Sequence, residues 1–163
     1  MPMRAYGTKV QYRNPVVSPS LMAGVGEYTC IHATGLFTMV KAKPFVVVVD
    51  DDESVGRAIR RLLRSIGVAS ESFSSGDAFL EALSSVPSYQ PACVILDVQM
   101  PGLNGLEVQR RLAGTGMPII FITAHDEVGV RQQALAAGAL AYLRKPFGDE
   151  LLIKTVRAIL GTS

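Results

Sequence analysis

The sequence predicts an α/β domain: a five-stranded parallel sheet, doubly wound with helices on both faces. Three observations lead there. The apolar runs "FVVVV" (45–49), "ACVIL" (92–96) and "PIIFIT" (118–123) suit strands buried on both faces and are too short for helices. Segments with apolar residues at helical spacing follow them. Strand and helix signals alternate five times from Pro44 onward, the pattern of successive βαβ units.

Taken in order, "FVVVV" is the first strand of the sheet. Val55, Ile59, Leu62, Leu63 and Ile66 then fall on one helical face, with Gly67 as its C-cap. "VASESF" (68–73) is a short second strand. A helix begins within Ser74–Asp77 and buries Ala78, Phe79, Ala82 and Leu83. "ACVIL" is the third strand and ends at Asp97. "MPGLNG" (100–105) is turn chemistry leading into a helix around Leu106–Leu112. "PIIFIT" is the fourth strand, followed by a helix over Glu127–Ala137 that stops at Gly138. "LAYL" (140–143) is the fifth, and Leu151, Leu152, Val156, Ile159 and Leu160 build the last amphipathic helix.

Composition sets the outer bounds. The chain has 163 residues, 48% of them apolar, which suits one domain with a real core. The net charge of +2 resides in residues 1–39, where Arg4, Lys9 and Arg13 face only Glu27. No basic block or stripe argues for nucleic acid. No run approaches the roughly 18 apolar residues that span a bilayer, and no signal-peptide core follows the basic start. Cys30 and Cys93 lie far apart without metal-ligand spacing, so a reducing, cytoplasmic setting is expected. Residues 1–42 mix Pro, Gly, Ser and Tyr without sustained period. They are expected to form a flexible N-terminal extension, with Met39 an alternative start, ahead of a domain over 43–163.

In parallel α/β sheets, ligands gather beyond the carboxyl ends of the strands. Here those ends deliver Asp50 and Asp51, then Asp97, then Thr123, then Lys145. Like charges about 4 Å apart repel by roughly 4 kcal/mol at an effective dielectric near 20. A hard divalent cation removes that repulsion. Mg²⁺ prefers carboxylates, waters and a phosphate oxygen, so the cluster reads as a magnesium site beside Asp97. A phosphoryl group could then approach a carboxylate nucleophile, with Lys145 and Thr123 holding its oxygens.

"VVDDDESV", "LDVQMPGLNGLE", "FITAHDE" and "YLRKPF" occur in this order and at intervals matching the strand ends. Together they resemble the receiver domain of two-component response regulators, in particular the nitrogen-fixation-type subfamily, over about residues 44–161. The resemblance implies a flavodoxin-like sheet of strand order 2-1-3-4-5. It implies Asp97 as acceptor of a phosphoryl group from a sensor histidine kinase or phosphotransfer protein. Mg²⁺ would be held by Asp51, Asp97 and the backbone carbonyl of Gln99, with Asp50 acting through water. Thr123 and Lys145 would bind the phosphoryl oxygens, and Tyr142 would turn inward as Thr123 moves. A cis bond would join Lys145 to Pro146. Since the chain ends soon after its last helix, a stand-alone receiver is expected. It would signal to a downstream protein, or to a second copy, through the face made by the fourth helix, fifth strand and fifth helix.

Plainer roles suit other residues. Asp52 and Glu53 are first-turn acids favoured by the helix dipole, His125 is a loop residue beside the site, and Arg110 and Arg111 form a solvated helix face. Gly56, the short loop "AGTGMP" (113–118) and Arg144 depart from the family pattern. A haloacid-dehalogenase-type phosphatase would need an acid two residues after its nucleophile, where Gln99 stands. A Rossmann cradle would need glycines where "DDDESVG" stands. A receiver-like interaction module that is never phosphorylated is the remaining alternative.

Overall fold

A computed structural model describes residues 28–33, 36–41 and 43–161. The chain divides into two units between Ala42 and Lys43. In the first, β1 (Tyr28–Ala33) pairs antiparallel with β2 (Leu36–Lys41), Tyr28 opposite Lys41. No element is predicted there from the sequence. The segments hold β-formers such as Ile31, Phe37 and Val40, but they lack the clean alternation that marks a half-buried strand. Of the flexible extension expected over residues 1–42, residues 1–27, 34, 35 and 42 lie outside the described residues.

The second unit is built on β3 (Phe45–Val49), β4 (Ala69–Phe73), β5 (Cys93–Asp97), β6 (Ile119–Thr123) and β7 (Ala141–Arg144). All pairings are parallel, in the order β4-β3-β5-β6-β7. This is the flavodoxin-like order 2-1-3-4-5. The helices are α1 (Glu53–Ser65), α2 (Gly76–Ser85), α3 (Gly105–Arg111), α4 (Val128–Ala136) and α5 (Asp149–Leu160). Each lies within about two residues of the span that periodicity predicts, as is usual for helix ends.

Strand alternation explains why "FVVVV" carries no polar residue. Val47 and Val49 enter a core with Phe79, Leu96, Val108 and Phe121, whereas Val46 and Val48 enter another with Ile59, Leu63, Ile95 and Leu152. Cys93 lies in the second core, and burial pushes its thiol up to about 12. It is an inert packing residue there.

Caps fix where the helices begin. Asp52 caps α1, its carboxylate accepting from the Ser54 N–H at 2.8 Å; that bond holds its pKa below the ordinary value. Ser75 caps α2. Asn104 and Glu107 form a reciprocal capping box on α3, the N-x-x-E form of the signature that "NGLE" carries. Gly67 takes φ +77°, ending α1 in the left-handed conformation that a Cβ disfavours.

Candidate functional site

The buried strands β3, β5 and β6 end on one rim, and their last residues turn from apolar to polar there. Asp50 and Asp97 are 3% and 4% exposed, Thr123 is fully buried, and Asp51 stands in the open. Carboxylate oxygens of Asp50, Asp51 and Asp97 lie within 4.8 Å of one another. The Lys145 ammonium reaches over from the end of β7, 2.6 Å from Asp50 Oδ2 and 3.2 Å from Asp97 Oδ1. The sequence places no cation near the acids before Arg57. The structure brings one from 95 residues beyond Asp50.

These contacts set the ionisation of the rim. Burial raises the Asp97 carboxyl to about 6; Lys145 opposes that rise, and Asp50 and Asp51 add to it. Burial works against the Lys145 charge, but the bond to Asp50 and the nearness of Asp97 outweigh it and raise the ammonium's pKa. Asp50 Oδ1 is occupied by the Asp52 N–H at 2.9 Å. Asp50 is thereby held by both the lysine and the start of α1. Among the described residues the donor set around Asp97 is all oxygen, which fits a hard divalent cation and suits a soft one poorly.

Thr123 Oγ1 donates to the His125 carbonyl at 2.8 Å and accepts from the His125 N–H at 3.1 Å. The role of His125 is therefore in its backbone, which pins Thr123. A sequence does not reveal such a contact. Tyr142 is already inside, 7% exposed, with its ring 6.1 Å from that of Phe121 and the Arg131 guanidinium 5.8 Å from its centroid. Burial raises its pKa, and the Thr123 hydroxyl acts in the other direction. The single hydrogen of Thr123 Oγ1 goes to the His125 carbonyl and none is left for Tyr142, whose buried hydroxyl has no partner in hydrogen-bond geometry.

Gln99 is exposed at the edge of a cleft of about 460 Å³ between the loop after β5 and the start of α4, together with Met100, Pro101 and Glu127. The Lys145–Pro146 bond is cis, as expected. Gly105 is tightly enclosed. A Cβ there would fall on the Asp97 carbonyl oxygen and 2.9 Å from the Phe121 ring. The backbone bearing Asp97 therefore packs directly against the first residue of α3.

Residues 46–157 match the family model of the response regulator receiver domain. The chain belongs to this family. The receiver is 41% identical over 137 residues to the response regulator protein TodT of Pseudomonas putida, an alignment covering 83% of this chain and 58% of TodT. It is 45% identical over 117 residues to the response regulator MprA of Mycobacterium tuberculosis, covering 71% of this chain and 50% of MprA. The chain thus spans little more than half the length of these relatives. A response regulator receiver protein of Burkholderia phymatum, solved by crystallography, is 72% identical with a TM-score of 0.69. That match covers 74% of this chain and 98% of the solved one. No described helix of the receiver is long and apolar enough to cross a membrane.

Proposed function

We propose that the receiver is a phosphorylation-operated signalling switch in which Asp97 accepts a phosphoryl group from a sensor histidine kinase or phosphotransfer protein. The observation that carries this reading is the meeting of Asp97 with two further acids and one lysine on the sheet rim. With a pKa near 6, Asp97 is mostly ionised at neutral pH and can act as a nucleophile. One of its carboxylate oxygens attacks phosphorus, the bond to the donor nitrogen breaks, and an acyl phosphate remains. Asp51, Asp97 and the Gln99 carbonyl would hold Mg²⁺, with Asp50 acting through water. When bound, the ion supplies positive charge that offsets repulsion between carboxylates and incoming phosphoryl oxygens. Lys145 already bridges Asp50 and Asp97, so a phosphoryl group on Asp97 gives its ammonium a second anion to follow. Thr123 supplies a hydrogen bond once its hydroxyl leaves His125.

The output is a change in protein contacts. Val128, Leu135, Leu140 and Leu151 are exposed apolar residues on or beside α4, β7 and α5, and this face is the proposed surface for a downstream protein or a second copy. Tyr142 links it to the site, being buried between Phe121 and Arg131 with an unpartnered hydroxyl.

Intact-mass spectrometry after incubation with acetyl phosphate and Mg²⁺ tests the reading. One phosphoryl adduct is expected, absent in Asp97→Asn and in EDTA. A folded protein that takes no adduct under any condition would leave only a phosphorylation-independent binding module.

A further inference from the structure

The sequence shows no basic stripe at the level of composition, yet α1 carries one. Arg57, Arg60, Arg61 and Arg64 stand at positions i, i+3, i+4 and i+7, so they share one side of the helix. All four line a crevice of about 410 Å³ together with Val68, Ala69 and Ser70 at the start of β4. A second crevice of about 280 Å³ shares Arg57 and Arg60 and continues past Gly56, Ser72 and Ser74 to the acids Glu53 and Asp50. The channel along β4 is thus basic over its first part, beside Arg60, Arg61 and Arg64, and charge-balanced where it nears the rim. Of these four arginines only Arg57 has an acidic partner among the described residues, Glu53 at 3.0 Å. Arg60 only reaches Ser72 Oγ at 3.5 Å. Like charges one helical turn apart disfavour one another, and among the described residues no carboxylate pairs with Arg60, Arg61 or Arg64.

The floor of the channel is equally unpartnered. Among the described residues β4 is the end strand of its sheet, hydrogen-bonded to β3 alone. The Phe73 carbonyl accepts from the Asp50 N–H on the β3 side. Alternation along the strand therefore turns the N–H and C=O groups of Ser70 and Ser72 outward. The residues facing α1 are small: an added Cβ at Gly56 would stand 3.7 Å from that of Ser72. A free strand edge and a row of guanidinium groups therefore lie side by side.

We infer that this channel binds an extended acidic peptide segment of a partner protein, which adds as a strand to β4 and points its carboxylates at the α1 arginines. Alternate residues of a strand recur about every 6.7 Å, close to the roughly 5.4 Å between helix turns. Acids at every second position can thus meet successive arginines. A nucleic acid's phosphates could accept from the edge amides, but it lacks the regular ladder of N–H and C=O groups with which a strand pairs the whole edge. The one aromatic residue lining the channel, Phe73, already packs against Phe79 and Tyr89. The inference goes beyond the phosphoryl reading and does not depend on it.

The test titrates the full chain at low salt with a fluorescein-labelled peptide of alternating glutamate and valine, read by anisotropy and by amide hydrogen exchange. Saturable binding is expected, at least tenfold weaker in the Arg60→Glu/Arg64→Glu double variant and unchanged in Arg157→Glu on α5. Gly56→Gln narrows the channel without removing charge and should also weaken binding severalfold. Exchange at the Ser70 and Ser72 amides should slow on saturation. Any one of four results overturns the inference: no saturable binding, equal affinity in the double variant and Gly56→Gln, unchanged edge amides, or tighter binding of a single-stranded oligonucleotide of equal charge. The acetyl-phosphate adduct, measured on the same variants, reports separately on Asp97.

Discussion

Asp97→Asn is expected to stabilise the metal-free receiver at pH 7.5, although it replaces a charged acceptor of Lys145 with a neutral one. The carboxylate is 4% exposed and faces Asp50 and Asp51. Burial and those acids raise its pKa from the ordinary 3.8 to about 6. At about 1.4 kcal/mol for each pH unit of that rise, ionising Asp97 costs the native state up to about 3 kcal/mol. Water at the open rim screens part of this, and asparagine forfeits the charge-assisted bond from Lys145 at 3.2 Å. A net gain of about 1–2 kcal/mol remains. The sign in pH follows from the raised pKa. The contribution of Asp97 is fully present below pH 3.8 and is lost as pH rises through about 6. Urea unfolding in EDTA across pH 4.5–7.5 should therefore show the wild type falling behind the variant as pH rises, with the curves closing toward pH 4.5. Mg²⁺ should shrink the gap at pH 7.5 by favouring the ionised wild-type site. Parallel pH curves, or a variant less stable at pH 7.5 in EDTA, would refute the charge argument.

Two other substitutions probe the packing around the site. Gly105→Ala drives a methyl into the Asp97 carbonyl and the Phe121 ring. It should cost about 2–3 kcal/mol in urea unfolding and reduce adduct formation with acetyl phosphate by displacing Asp97. Tyr142→Phe removes a buried hydroxyl that has no partner; a thermal melt should show it neutral or up to about 1 kcal/mol more stable, whereas a clear loss would reveal a bond to that oxygen.

The five strands of the second unit and the identity of the rim residues are legible in the amino-acid sequence. A strand buried on both faces is a local signal: "FVVVV" and "PIIFIT" contain no position that could face water, so their first polar residues mark the strand ends. The helices were equally legible because their packing demands a period of 3.6. The hairpin β1–β2 was not, since pairing and not periodicity makes those segments strands. Tertiary structure alone decided how the rim residues act on one another. Lys145 neutralises Asp50 across 95 residues, the His125 backbone holds Thr123, and Tyr142 is inside with its hydroxyl unpaired. The arginines of α1 were visible as letters, but only strand order showed that they lie beside a free sheet edge. Propensity and periodicity are encoded over about ten residues. Charge energies depend on distance and burial, and both are created when strands far apart in sequence come to lie side by side.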